Sequence, residues 1–179
     1  ENALDSLRVF AKGANAGVAD VNSTVDFGTS VINAYGMSYK NAQQVMNVAF
    51  KTIEYGKLRM QDLIHTGKTL AAANQGGLGF PELMAVMGQA TKDGMKLRTA
   101  VSGIQGVIKR MTSEKGVSLF KKLGIDVVDE KTGQIKDFFG TMKKLSELNL
   151  SQIDIGKIFT RIRAKNLAQV IIGAFQRAG

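Results

Sequence analysis

Apolar residues recur every three or four positions along most of this chain, in stretches separated by glycine or by short polar residues. Leu4, Leu7, Ala11, Ala14 and Val18 follow this spacing at the start of the sequence. Side chains three and four residues apart lie on one face of an α-helix. The pattern therefore predicts an amphipathic first helix that packs on the rest of the molecule through this stripe.

Residues that favour helix starts precede the later apolar stretches. Asp20, Ser38, Asp137 and Ser151 can each accept a hydrogen bond from a first-turn backbone N–H, and Pro81 suits the first turn of a helix. Glycines at positions 36, 56, 94 and 124 follow apolar stretches, where a left-handed residue commonly ends a helix. We expect well over half of the chain to be helical.

Two glycines interrupt the helix that the spacing predicts from about Leu97 to Met111. Gly103 and Gly106 each weaken an exposed helix by about 1 kcal/mol relative to alanine. Close packing of a neighbouring helix against this face would explain both.

One segment does not follow the helical pattern. In residues 125–136, valine and isoleucine flank a polar turn that contains Gly133, which predicts a small β-hairpin. The expected fold is all-α, a compact domain of short helices broken by glycine with this one hairpin. We expect a single domain over residues 1–179, with a subdivision into residues 1–75 and residues 80–179 as an alternative.

The composition excludes most kinds of enzyme active site. The chain has no cysteine and one histidine, His65, so it lacks thiol nucleophiles, thiolate metal sites and most hydrolase constellations. Gly67-Lys68-Thr69 resembles the end of a phosphate-binding loop, but Asp62 stands where that loop needs glycine and no strand is predicted before it. We expect no catalytic residue, no metal ion and no cofactor.

Positive charge is concentrated after the first two predicted helices. The formal net charge is +9, and residues 1–38 hold four acidic and two basic groups, so 9 − (2 − 4) leaves +11 for the remainder. Lys157, Arg161, Arg163 and Lys165 form the densest basic stretch, with no acidic residue between them. This patch is a candidate partner-binding surface; the alternative is an ordinary solvated basic face.

Several short motifs, in order, resemble the core region of phage tail tape measure proteins, a family also described as phage-related minor tail proteins. They are Asn33-Ala34-Tyr35-Gly36 with Ser38 and Ala42, Lys51-Thr52-Ile53-Glu54 with Gly56-Lys57 and Leu63, Gly94 followed by Ala100-Val101-Ser102-Gly103-Ile104, Leu123-Gly124-Ile125 with residues 129–133, and Ile158-Phe159. The resemblance covers most of the chain.

The resemblance implies a structural virion protein that acts in tail assembly and in the determination of tail length. It implies a location in the tail lumen or tip, and in the host cytoplasm during assembly. The implied partners are the tail tube protein, tail tip or baseplate hub proteins, tail assembly chaperones and further copies of the chain, as a trimer. It brings no catalytic residues to this region.

The resemblance leaves the role of this segment open. A ruler is expected to be a long continuous helix, whereas the glycines here predict helices that fold back on one another. We therefore expect an anchoring or hub-docking domain that is part of a longer chain. Two alternatives are a basic helical domain that binds nucleic acid, and a membrane-active helical bundle that aids DNA ejection, with any membrane contact made by segments outside this chain.

Overall fold

The computed structural model describes residues 3–16 and 19–178. Within them the α-helices are α1 (Ala3–Ala16), α2 (Val21–Ala34), α3 (Ala42–Gly56), α4 (Met60–Leu63), α5 (Gly67–Gln75), α6 (Phe80–Lys92), α7 (Leu97–Thr112), α8 (Glu114–Lys122), α9 (Phe138–Glu147), α10 (Gln152–Ile158) and α11 (Ile162–Ala178). Short 3₁₀ turns at Tyr39–Asn41 and Ile64–Thr66 precede α3 and α5. The predicted all-α class is confirmed.

Three of the four predicted capping residues, Asp20, Asp137 and Ser151, begin α-helices, whereas Ser38 caps the short 3₁₀ turn that precedes α3. The Asp20 carboxylate accepts a 2.7 Å hydrogen bond from the backbone N–H of Ser23, and Asp137 accepts a 2.8 Å bond from Gly140. Gly94, with φ +90°, follows the end of α6, in a conformation that only glycine adopts without strain. These boundaries are set by local chemistry, which is why the sequence predicts them.

The predicted β-hairpin at residues 125–136 is wrong. Among the described residues the two arms share one antiparallel bridge, between Val128 and Ile135, and no strand forms. The two hydrogen bonds that flank this bridge do form, from the Asp129 N–H to the Gln134 carbonyl at 2.8 Å and from the Lys136 N–H to the Val127 carbonyl at 3.0 Å, but the pairing of the two arms extends no further. The Ile135 N–H points away from the opposite arm and donates to the carbonyl of Gly76 at 2.9 Å, which ties the segment to the end of α5. The Asp129 carboxylate also holds the turn by accepting from the backbone of Lys131 and Thr132, at 2.9 and 3.0 Å. The segment is a loop that packs its apolar residues on the core.

The predicted contact face of α1 is correct only at its second half. Ala14 of the predicted stripe is buried together with Phe10 and Gly13, which lie outside the stripe, whereas Leu4 is 69% exposed and Leu7 is 42% exposed. Val18 lies outside the described residues. The Phe10 ring fills the space over Gly28, where a Cβ would lie 2.4 Å from the ring. The shape of the neighbouring helix therefore selects the face, rather than the longest apolar stripe.

The helices pack around one continuous hydrophobic core. One cluster of buried apolar residues extends from Phe10 in α1 to Ile172 in α11. Helix α6 packs against α3, α5, α7 and α11, and α7 makes its most extensive contact with α11. The alternative division of the chain between residues 75 and 80 stays a prediction. The two arrangements that matter for function are the α7–α11 pair and the space between α3 and α11.

Candidate interaction surfaces

Helices α7 and α11 form a pair with no acidic side chain. Helix α7 carries Arg98, Lys109 and Arg110, helix α11 carries Arg163, Lys165 and Arg177, and neither contains aspartate or glutamate. Helix α11 runs antiparallel to α7, so its start lies beside the second half of α7. This pairing gathers positive charge from two parts of the sequence.

The two glycines of α7 allow this close approach. A Cβ built on Gly106 would lie 2.9 Å from the Ala164 Cβ, and one built on Gly103 would lie 2.8 Å from the Arg163 carbonyl oxygen. Both distances are shorter than normal van der Waals contact. The predicted close packing of a neighbouring helix at Gly103 and Gly106 is confirmed, and the neighbour is α11.

A concave basic surface lies where the two helices meet. Lys109, Arg161 and Arg163 line a cavity of about 440 Å³, together with Ile162. The Arg163 guanidinium donates a 3.2 Å hydrogen bond to the Ser102 hydroxyl, and Ile162 is 64% exposed. We refer to Lys109, Arg161, Ile162 and Arg163 as the basic corner.

The basic corner includes two of the four residues predicted from the sequence. Arg161 and Arg163 line the cavity, whereas Lys157 and Lys165 do not. Lys157 lies in the last turn of α10, 3.5 Å from the Asp154 carboxylate, and Lys165 is partly buried. Lys109 was not predicted, because it lies far away in the sequence. The sequence feature that could have indicated Lys109 is that both helices, α7 and α11, contain basic residues and no aspartate or glutamate.

Arg110 fixes the position of the corner. Its Nε donates to the carbonyl of Ile158 at 2.5 Å, and its Nη2 donates to the carbonyl of Lys157 at 3.4 Å. These carbonyls are at the end of α10, where no helical N–H is left to pair with them. Arg110 therefore links α7 to the α10–α11 connection on which Arg161 stands.

A capping box orders the start of α10. The Ser151 hydroxyl donates to the Asp154 carboxylate at 2.6 Å, and the Asp154 N–H donates to the Ser151 hydroxyl at 3.1 Å. The Ser151 hydroxyl is the main reason that the pKa of Asp154 lies below its usual value, and the charge of Lys157 lowers this pKa further. Asp154 is thus ionised at neutral pH and pairs with Lys157 rather than with a cation of the basic corner.

The second surface is an apolar groove that sequence reasoning missed. It has a volume of about 880 Å³ and lies over α6, with α3 on one side and α9 and α11 on the other. Its lining residues are Val48, Lys51, Thr52, Glu54, Tyr55, Pro81, Met84, Ala85, Val86, Gly88, Gln89, Phe139, Ile171, Ala174, Phe175 and Ala178. No local pattern reveals it, because each helix contributes a few residues.

Polar contacts involve two residues that line the groove, Tyr55 and Gln89. The Tyr55 hydroxyl donates to the Gln89 side-chain oxygen at 2.6 Å, and the Lys92 ammonium lies 4.1 Å from the centre of the Tyr55 ring. Arg177 pairs with Asp93 at 2.5 Å. Charges of both signs therefore lie in or beside the groove, including Lys51 and Glu54 in its lining, so the groove favours no charged partner.

The described residues offer neither a metal-binding cluster nor a membrane-spanning helix. No group of three or more histidine, cysteine, aspartate or glutamate side chains is placed to hold a metal ion. No helix in the described part of the chain has the length and apolar character needed to cross a membrane.

Comparison with known proteins identifies the family. A family model described as phage-related minor tail protein matches residues 1–171. No curated protein and no solved structure matches the chain. Because the family model covers nearly the whole length, the chain belongs to the family of phage-related minor tail proteins.

Proposed function

We propose that this chain is the core region of a tail tape measure protein, a structural virion protein that acts in tail assembly and in the determination of tail length. Membership of the minor tail protein family supports a structural role in the phage tail. Within that role, we propose that this segment is an anchoring or hub-docking domain, and that the length-measuring part of the protein lies elsewhere in the parent chain.

The observation that carries the proposal is the shortness of the helices. The longest in the described residues, α11, has 17 residues, which corresponds to about 25 Å at a rise of ~1.5 Å per residue. The same 179 residues in one helix would reach about 270 Å. A segment that folds back and buries a shared core contributes little length for its number of residues, so it is suited to anchoring rather than to measuring.

The proposed partners follow from this role. An anchor in the tail lumen or tip would contact tail tip or baseplate hub proteins, the tail tube protein and other copies of the chain as a trimer. Tail assembly chaperones would bind it in the host cytoplasm before assembly. The role requires no catalysis, and we propose that this region is not an enzyme.

Insertion of a helix-forming segment at two places in the parent protein tests whether this domain anchors the protein while the rest of the chain measures tail length. One insertion is placed at the exposed turn of residues 129–133, where the backbone reverses without a helix, and the other in the helical remainder of the parent gene. An insert of about 60 residues adds about 90 Å if it is extended along the tail as α-helix. Tail length is then measured by electron microscopy.

An anchor and a ruler give different results. If this segment is an anchor, the insertion at residues 129–133 leaves tail length unchanged, and the other insertion lengthens the tail by about 90 Å. Equal lengthening by both insertions would mean that this segment is part of the ruler. No lengthening by either would reject the tape measure function itself.

A further inference from the structure

We propose that the basic corner is a docking site for an acidic protein surface that presents an apolar side chain between its carboxylates. The inference rests on the proposed anchoring function, and it names the surface through which the domain would hold a tail tip or hub protein. DNA, an anionic membrane and a second copy of the chain are the alternatives that the experiment separates.

Charge is the first argument for an acidic partner. Three cations, from Lys109, Arg161 and Arg163, line one concavity, and the two helices that form it contain no carboxylate. The nearest acidic residue before α11 in the sequence is Asp154, which pairs with Lys157 outside the cavity. The corner therefore has a positive field that no residue of α7 or α11 neutralises, and a complementary surface must be negative.

The exposed Ile162 side chain indicates that the partner of the basic corner is a protein rather than DNA. Its side chain is 64% exposed and lines the same cavity as the cations on either side of it in the sequence. A phosphate backbone gains nothing from contact with an aliphatic side chain, whereas an apolar residue of a protein removes both surfaces from water. The nearby aromatic residue, Phe159, is 1% exposed and packed on Phe120, so it cannot stack on a base.

The shape of the corner favours a protein over a membrane. Helices that lie in the membrane interface expose a broad apolar face. Helix α11 instead buries Leu167, Ile171 and Ile172 in the core, and Ile162 lines a concave cavity. A concavity accepts a convex element such as a loop or a helix end, and it is poorly matched to a flat bilayer.

The corner is also ordered before any partner binds. The hydrogen bond from Arg163 to Ser102 holds one guanidinium, and the two bonds from Arg110 hold the backbone next to Arg161. Side chains that are already oriented lose less conformational entropy on binding. The third cation, Lys109, is exposed and stands on the adjacent helix.

The test compares a charge-reversed corner with a matched control. The corner variant is Arg161→Glu with Arg163→Glu, and the control is Lys143→Glu with Lys144→Glu, which makes the same change in net charge at two exposed residues of α9. Glutamate at position 163 lies in the first turn of α11, where the helix dipole favours it. A third variant, Ile162→Ser, tests the apolar contribution, and circular dichroism checks that each variant is folded.

Binding of each protein is measured by biolayer interferometry to three probes. They are the tail tip assembly purified from the phage that encodes the chain, a short DNA duplex, and vesicles that contain phosphatidylglycerol. We expect the corner variant to bind the tip assembly about tenfold more weakly or worse. We expect Ile162→Ser to bind about fivefold more weakly, and the control to stay within about twofold of the unsubstituted chain.

Other outcomes overturn the proposal in distinguishable ways. Equal binding of the tip assembly by the corner variant would reject the corner and leave the anchoring function intact. Loss of DNA or vesicle binding in the corner variant, with the tip affinity unchanged, would assign the corner to that ligand instead. Failure of the unsubstituted chain to bind the tip assembly would reject the anchoring function.

A second measurement tests the basic corner even if the unsubstituted chain does not bind the purified tip assembly. A photo-crosslinking amino acid is placed at position 162 of the chain in assembled virions, and the crosslinked products are identified by mass spectrometry. A crosslink to an acidic segment of another virion protein supports the proposal. A crosslink to DNA or to a second copy of the chain, or the absence of a protein product, overturns it.

Discussion

The α7–α11 contact gives the sharpest test of the packing described above, through the substitution Gly106→Ala. Alanine in place of glycine in a helix normally stabilises it by about 1 kcal/mol, because glycine loses more backbone entropy on folding. At this position the new methyl group would lie 2.9 Å from the Ala164 Cβ, whereas a favourable carbon–carbon contact is about 3.5–4.0 Å. Helix α11 would have to move away.

The two effects oppose each other and can be compared in size. Overpacking of a tight core contact costs about 1–3 kcal/mol, so after the gain of about 1 kcal/mol in helix propensity the net change is a loss of about 0–2 kcal/mol. For a chain of this length, each kcal/mol lowers the melting temperature by about 2–4 °C. The free energy of unfolding is measured by urea denaturation, followed by circular dichroism.

Gly173→Ala is the matched control. Gly173 lies within α11, and the nearest atom to a Cβ built there is the Arg177 Nη1 at 3.5 Å, an ordinary contact with the mobile end of a side chain. We expect Gly173→Ala to stabilise the chain by about 1 kcal/mol. The difference between the two alanine variants is then about 1–3 kcal/mol.

A double-mutant cycle isolates the clash itself. With Ala164→Gly, the next atom near the new Cβ of Gly106→Ala is the Cα of residue 164, at 3.8 Å. The combined variant should therefore be more stable than the sum of the single changes by about 1 kcal/mol or more. Equal stabilisation by Gly106→Ala and Gly173→Ala, or additivity in the cycle, would refute the explanation that close packing requires glycine here.

Three other predictions concern the side chains of Arg110, Tyr35 and Ser151. Arg110→Ala removes two hydrogen bonds to carbonyls at the end of α10 and should lower the free energy of unfolding by about 1.5–3 kcal/mol in urea titrations; a change below the error would mean that the link is not formed. The buried Tyr35 hydroxyl has no hydrogen-bond partner among the described residues, and burial is the main reason that its pKa is raised, so Tyr35→Phe should leave stability unchanged or raise it in thermal melts. The pKa of Asp154 is lowered, chiefly by Ser151, so its contribution to stability is present above the unfolded value near 3.8 and is lost as the pH falls through the folded value. Carboxyl NMR titration should show this lowered pKa, and the Ser151→Ala variant should return it toward its ordinary value.

The sequence predicts well those features that depend on neighbouring residues. Asp20 and Asp137 accept the expected first-turn hydrogen bonds, and Gly94 follows the end of α6 as predicted. A cap involves residues within one turn of helix, so its chemistry is complete in a short stretch of sequence. The all-α class and the close approach of a neighbouring helix at Gly103 and Gly106 follow from such local signals.

Only the tertiary structure decides which residues meet across the fold. The predicted hairpin is reduced to a single bridge between Val128 and Ile135, and the Ile135 N–H on its outer edge donates to the carbonyl of Gly76, which is far away in the sequence. Helix α1 turns Phe10 inward because Gly28 leaves room for its ring, and Leu4 and Leu7 of the predicted stripe are then exposed.

The candidate surfaces also combine residues that the sequence predicts with residues that only the fold brings together. Arg161 and Arg163 were identified from a run of basic residues, but Lys109 joins them because α7 and α11 pack antiparallel. The apolar groove has no sequence signal, since its walls come from four separate helices. Helix boundaries are fixed by interactions within a turn, whereas surfaces depend on the shapes of elements that are distant in sequence, and those shapes exist only in the folded molecule.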